Sequence, residues 1–97
     1  MARIETKYLD NLYAALLSLE TKEQCAAFLE DICTIQELEA ISQRLEVARL
    51  LHEGKNYVDI NKITGASTAT ICRVSKCLTY GDGGYASVIR KMEEAGD

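Results

Sequence analysis

The stretch "TGASTATICRV", Thr64 to Val74, places one glycine between two short runs that each have helical character. After Gly65 the residues are small, hydroxylated and uncharged until Arg73. Such a segment is either a tight turn that leads a helix into a DNA groove or a hinge between two core helices. The flanking sequence has to separate these readings.

The chain of 97 residues lacks proline and, before Gly81, carries only Gly54 and Gly65 as glycines. An all-helical chain needs this, because proline removes a helix donor and clashes with the preceding turn. The length supports one domain, in which roughly 60–65% of the unfolded surface is buried. An apolar fraction of 47% is ordinary for a globular protein. No apolar run approaches the roughly 18 residues of a membrane span. The opening "MARIETKYLD" is charged and lacks the apolar core of a signal peptide, so a cytoplasmic protein with no membrane partner is expected.

Metal and enzyme chemistry find little support. Cys25, Cys33, Cys72 and Cys77 form no Cys-x-x-Cys pair, and His52, the single histidine, has no partner at metal-ligand spacing. No metal and no cofactor are expected, and the cysteines read as small, half-buried side chains in a reducing compartment. One histidine supports no Cys/His or Ser/His/Asp grouping, and the carboxylates follow solvated helix faces rather than a paired acid/base site.

The net charge of −4 hides a polarised distribution. Residues 1–54 hold five Lys/Arg against ten Asp/Glu, a local charge of −5. Residues 55–91 hold Lys55, Lys62, Arg73, Lys76, Arg90 and Lys91 against Asp59 and Asp82, giving +4. The basic half contains the opening stretch, which is where a polyanion would be met.

Periodicity predicts six helices and no strand. Tyr8, Leu9, Leu12, Tyr13, Leu16 and Leu17 line one face of the first. "TKEQ" at 21–24 reads as a capping box for the second, which places Cys25, Phe28, Leu29 and Ile32 on its inner face. "TIQE" at 34–37 opens the longest, with Leu38, Ile41, Leu45, Ala48 and Leu51 on one side, a stripe widened by Val47 and Leu50. Gly54 caps its end. A short helix fits Tyr57–Thr64, burying Val58, Ile60 or Ile63 by turns, and Gly65 can take the left-handed conformation of a tight turn. A fifth helix follows at about 68–78, with Ser67 as its better cap. The last runs at about 85–95, with Val88, Ile89 and Met92 inward. "YGDGGY" at 80–85 is a hinge anchored by Tyr80 and Tyr85; without a following Lys-Ser/Thr it is no phosphate loop.

Two short helices around a glycine turn make a helix-turn-helix pattern. Ile71, Val74 and Leu78 would pack against Ile60 and Ile63, leaving Ser67, Thr68, Ala69, Cys72, Arg73 and Lys76 outward. Short polar side chains let a helix approach base edges, and basic ones hold phosphate.

From Thr34 to about Leu78 the chain resembles the Trp repressor family of bacterial regulators. The carrying segments are "QELEAISQRLEVARLLHEG", similar to the family's long central helix, and "GASTATICRVSKCL", similar to its turn and recognition helix. The N-terminal helices match by pattern only, and between Gly54 and Gly65 the chain is one residue shorter than the best-known member. The resemblance implies an all-α, six-helix fold and an intertwined homodimer on a palindromic operator in double-stranded DNA. Residues 1–54 would form the dimerisation core, 57–78 the helix-turn-helix and 85–95 the C-terminal helix. It implies that Ser67, Thr68, Ala69 and Cys72 face base edges, with Lys55, Lys62, Thr70, Arg73 and Lys76 holding phosphate. The competing expectation is the same helical dimer used as a protein-interaction module without DNA.

The resemblance also implies an effector pocket between the central and recognition helices, made from Thr34, Arg44, Arg73, Val74 and Cys77. In the tryptophan-responsive member two arginines flank the indole, and Arg44 and Arg73 take the matching places. Val74 replaces a glycine beside the ring, and Cys77 replaces a serine that helps take the ammonium group. Overpacking costs about 1–3 kcal/mol, and a thiol is a weak acceptor for an ammonium. Together these changes weaken L-tryptophan as corepressor by factors on the order of 10²–10⁴. Val74 then either fills the cavity permanently or reshapes it for another small-molecule effector.

Overall fold

The computed structural model describes residues 5–96. Its helices are α1 (Thr6–Leu17), α2 (Lys22–Ile32), α3 (Ile35–His52), α4 (Tyr57–Thr64), α5 (Thr68–Tyr80) and α6 (Gly84–Glu94). The described residues contain no strand.

Local chemistry sets most of these boundaries. At the start of α3 the capping box closes in both directions: the Glu37 N–H donates to Thr34 Oγ1 at 3.0 Å, and the Thr34 N–H to Glu37 Oε1 at 2.8 Å. At the start of α2, Thr21 Oγ1 accepts from the Gln24 N–H at 3.0 Å. The Gln24 side chain reaches one residue further back than a capping box expects, accepting the Glu20 N–H at 2.7 Å. Helix α3 stops at Gly54, whose φ of 91° lets the Lys55 N–H return to the Leu50 carbonyl at 3.0 Å. Ser67 caps α5 by accepting the Thr70 N–H at 3.2 Å.

The chain forms two compact units, one up to Leu38 and the other from Glu39, dividing after the first turn of α3. In the first unit, α1 and α2 contribute no buried residue. Leu9, Leu12, Phe28 and Leu29 are half-buried, whereas Tyr8, Tyr13, Leu16, Leu17 and Ile32 are exposed. Two short helices enclose too little volume to make a core by themselves.

The second unit has a continuous apolar core. Val47, Ala48 and Leu50 of α3 meet Ile60 of α4, Ala66 of the turn, Ile71 and Val74 of α5, and Ile89 of α6. Leu51, Leu78 and Tyr85 pack around it. Of the three candidates on α4, only Ile60 is buried, at 0% exposure; Val58 and Ile63 stand out at 63% and 58%. The expectation that Ile63 packs under α5 is therefore corrected. Ile63 lies about 60° further round the helix from Ile60, beyond the reach of the single buried seam. On α3 the residues expected only to widen the stripe, Val47 and Leu50, are its buried centre, while Ile41 is exposed. Val88 and Met92 are also exposed, so α6 enters the core through the buried Ile89, with Tyr85 packed beside it.

Ile60→Ala should lower stability by about 2–5 kcal/mol in urea titration, whereas Ile63→Ala should change it by less than about 1 kcal/mol. Ser67→Ala should cost about 1 kcal/mol by the same measurement, and Ser67→Asp, which keeps an acceptor at the cap, should recover most of it.

Candidate nucleic-acid interface

Three residues, Gly65, Ala66 and Ser67, join α4 to α5. Gly65 has φ 75° and donates its N–H to the Asn61 carbonyl at 2.8 Å, closing α4 in the left-handed conformation that a side chain would strain. Ala66 is 1% exposed, so this turn is pulled into the core rather than draped over it. A buried turn must satisfy its backbone polar groups internally. Thr64 Oγ1 donates to the Ile60 carbonyl at 2.7 Å and accepts the Ala66 N–H at 3.1 Å. Asn61 Nδ2 donates to the Ala66 carbonyl at 2.7 Å. Gln43 Nε2, on α3, donates to the Thr64 carbonyl at 3.1 Å. Sequence reading missed Asn61 and Gln43. Asn61 lies within hydrogen-bonding range of a predicted turn and could have been found, whereas Gln43 is 21 positions away and could not.

Beyond the turn, Ile71 and Val74 bury one face of α5. Thr68, Ala69, Arg73 and Lys76 are exposed, and Cys72 lies half-buried beside them on the outer half of the helix. Lys55 and Lys62 are exposed before and within α4. Ser67 is exposed too, but its hydroxyl is engaged at the cap: besides accepting from Thr70, it donates its proton to Thr70 Oγ1 at 3.1 Å. It retains only one lone pair for a base or phosphate. Thr70 is half-buried.

A second feature lies against the core-facing side of α5. A cleft of about 810 Å³ is lined by Ile41, Arg44 and Leu45 of α3, by Arg73, Val74 and Cys77 of α5, by Gly81 and Asp82 after it, and by Gly84, Tyr85 and Val88 of α6. Four of the five sequence-derived effector residues, Arg44, Arg73, Val74 and Cys77, thus share one wall system. Thr34 is not among the lining residues; its hydroxyl caps α3. Val74, 1% exposed, forms part of the floor, so its side chain occupies volume that a glycine would leave open.

The cleft's charges are the guanidinium groups of Arg44 and Arg73 and the carboxylate of Asp82. Arg44 is not paired with Glu37 or Glu46: Glu37 caps α3 and Glu46 binds Arg49 at 2.7 Å. The "YGDGGY" segment is a rim of this cleft as well as a connection between helices. Tyr85 packs against the core as expected, but Tyr80 is 84% exposed and anchors nothing there. Gly81 is required by close approach, since a Cβ at this position would press on the Cys77 carbonyl. All four cysteines are free, and among the described residues no group of three or more His, Cys, Asp or Glu could hold a metal. Cys77 is exposed rather than half-buried, because it faces the open cleft. No described helix is long and apolar enough to cross a membrane.

Comparison with known proteins agrees with this geometry. Residues 7–93 match the family described as Trp repressor protein. The "Uncharacterized protein YerC" of Bacillus subtilis (strain 168) is 47% identical over 92 residues, covering 95% of this chain and 88% of the relative. A crystal structure of a TrpR like protein from Eubacterium eligens ATCC 27750 superposes with a TM-score of 0.88 at 45% identity, covering 92% of each chain. A Staphylococcus aureus crystal structure, provisionally named a Trp repressor, gives a TM-score of 0.87 at 41% identity, over 90% of this chain and 87% of that one. The match spans nearly the whole chain, including the N-terminal helices that sequence reading related by pattern alone. The chain belongs to the Trp repressor family and has its all-α fold.

Proposed function

We propose that the chain is a sequence-specific DNA-binding transcriptional regulator, a repressor that binds a palindromic operator as a homodimer through α5. The observation that carries this reading is the α4–α5 helix-turn-helix. Its outer row is built of Thr68, Ala69, Cys72, Arg73 and Lys76, following a turn held to the core by the buried Ala66. Thr68, Ala69 and Cys72 are short enough to let the helix approach base edges, and Ala69 can touch a thymine methyl. Arg73, Lys76, Lys62 and Lys55 supply the positive charge that holds phosphate. Ser67 and Thr70 contribute mainly by holding the first turn of α5 in shape.

The homodimer is supported by what α1 and α2 leave uncovered. Helices whose apolar faces bury no residue within one chain call for another surface, and Leu17 at 86% and Tyr8 at 68% exposure are costly to leave in water. A second copy supplies a matching face by symmetry. It also places two reading helices on one duplex face, in half-sites about 34 Å apart.

The cleft bears on effector control. L-tryptophan fits it poorly, because Val74 stands on the floor and Cys77 offers a thiol where an ammonium needs an oxygen. Repression therefore requires no tryptophan.

Selection from a random duplex pool at near-physiological salt, without ligand, should recover a palindromic motif. Arg73→Ala should weaken binding to every duplex and flatten the log–log salt dependence by about 0.9 for each phosphate that it leaves unneutralised. Thr68→Ala should shift base preference by about 1–3 kcal/mol at one position while changing overall affinity less. Equal binding of both variants and the wild type would favour a protein-interaction module instead. The chain contains no tryptophan, so the ligand's own fluorescence reports its binding. Wild-type protein should leave that emission unchanged, and the Val74→Gly, Cys77→Ser double variant should gain affinity on the order of 10²–10⁴.

A further inference from the structure

The apolar core fixes how closely α3 approaches the helix-turn-helix, but it does so without direction. Val47 and Ala48 share a buried cluster with Ile60, Ala66 and Ile71, and the burial of apolar area favours contact without prescribing an angle. A hydrogen bond is directional and loses strength within tens of degrees. The bond from Gln43 Nε2 to the Thr64 carbonyl adds such a constraint between α3 and the turn.

Its position is informative. The turn's other side-chain hydrogen bonds, from Asn61 and Thr64, join residues only two to five positions apart, so they stiffen the turn without tying it to anything else. Gln43 joins residues 21 positions apart. The carbonyl it engages is the last of α4, a group that the helix itself leaves without a partner. Four residues later α5 begins. The next residue on α3, Arg44, lines the cleft together with Arg73 and Val74 of α5. Adjacent side chains of one rigid helix thus face the two ends of the reading head's attachment.

We propose that Gln43 is a positioning residue for DNA reading: its amide sets the orientation of α4 and α5 on the central helix through the Thr64 carbonyl. The inference rests on the DNA-binding reading above. Flexible Lys and Arg side chains follow a phosphate through a small rotation of the head, whereas the short side chains of Thr68 and Ala69 cannot follow a base edge. In a dimer both heads rotate, so the misfit at a palindromic site is felt twice. Loss of the bond therefore lowers discrimination more than it lowers non-specific affinity.

The test compares wild type, Gln43→Met and Gln43→Lys on the selected duplex and on a scrambled duplex. Salt is held fixed, and the temperature is kept well below each variant's melting midpoint. Methionine keeps the length and loses the donor; lysine restores a donor of similar reach. The expected result is a fall of about tenfold in the specific-to-non-specific affinity ratio for Gln43→Met, with Gln43→Lys returning most of it. The ratio cancels the extra charge of lysine, which strengthens binding to any duplex. An unchanged ratio in Gln43→Met overturns the proposal. So does an equal loss on both duplexes, which marks a purely structural role, and so does failure of lysine to restore discrimination. A wild-type protein that prefers no duplex removes the DNA-binding reading itself, and this proposal with it. Discrimination in wild type and Gln43→Met alike removes only the role of Gln43.

Discussion

The seam between the middle of α3 and the helix-turn-helix governs the second unit. Val47 and Ala48 are fully buried in the cluster they share with Ile60, Ala66, Ile71, Val74 and Ile89. Ala66 belongs to a turn, and a turn drawn into a core brings polar backbone with it. An unsatisfied buried amide or carbonyl costs about 1–3 kcal/mol, so the turn must supply partners from side chains. Asn61, Thr64 and Gln43 meet that demand. Gly65 supplies the left-handed residue without which α5 could not turn back onto the seam.

With one face of α5 committed to the core, the other half of the helix is free for recognition. Ile71 and Val74 lie inward, so Thr68, Ala69, Arg73 and Lys76 lie outward by the 100° step of the helix. The same helix walls the cleft, together with Ile41 and Arg44 on α3 and with Gly81 and Asp82 of the connection to α6. The outer row of α5 and the cleft therefore share Arg73. A molecule occupying the cleft would act on the helix proposed to read DNA, whereas Val74 gives that helix a packed seat with no such molecule.

Several parts of this arrangement were legible in the residues. The Thr21 cap, the capping box at Thr34, the left-handed glycines at 54 and 65, and the Ser67 cap are interactions within a few positions, set by side chains whose reach is fixed. The outer row of α5 followed from the spacing of Ile71, Val74 and Leu78. The resemblance added the grouping of Arg44, Arg73, Val74 and Cys77, which the cleft brings together.

Helix count, helix ends and the glycine turn were determined by the sequence itself, because each depends on bonds and torsions among near neighbours. The choice of Ile60 over Val58 and Ile63, and of Val47 and Leu50 over Ile41, belonged to the tertiary structure. An amphipathic stripe is wider than one packing seam, and only the neighbouring helix decides which part of it is covered. The same holds for Gln43, which the sequence pattern left without a role until folding carried the Thr64 carbonyl to within 3.1 Å of its amide.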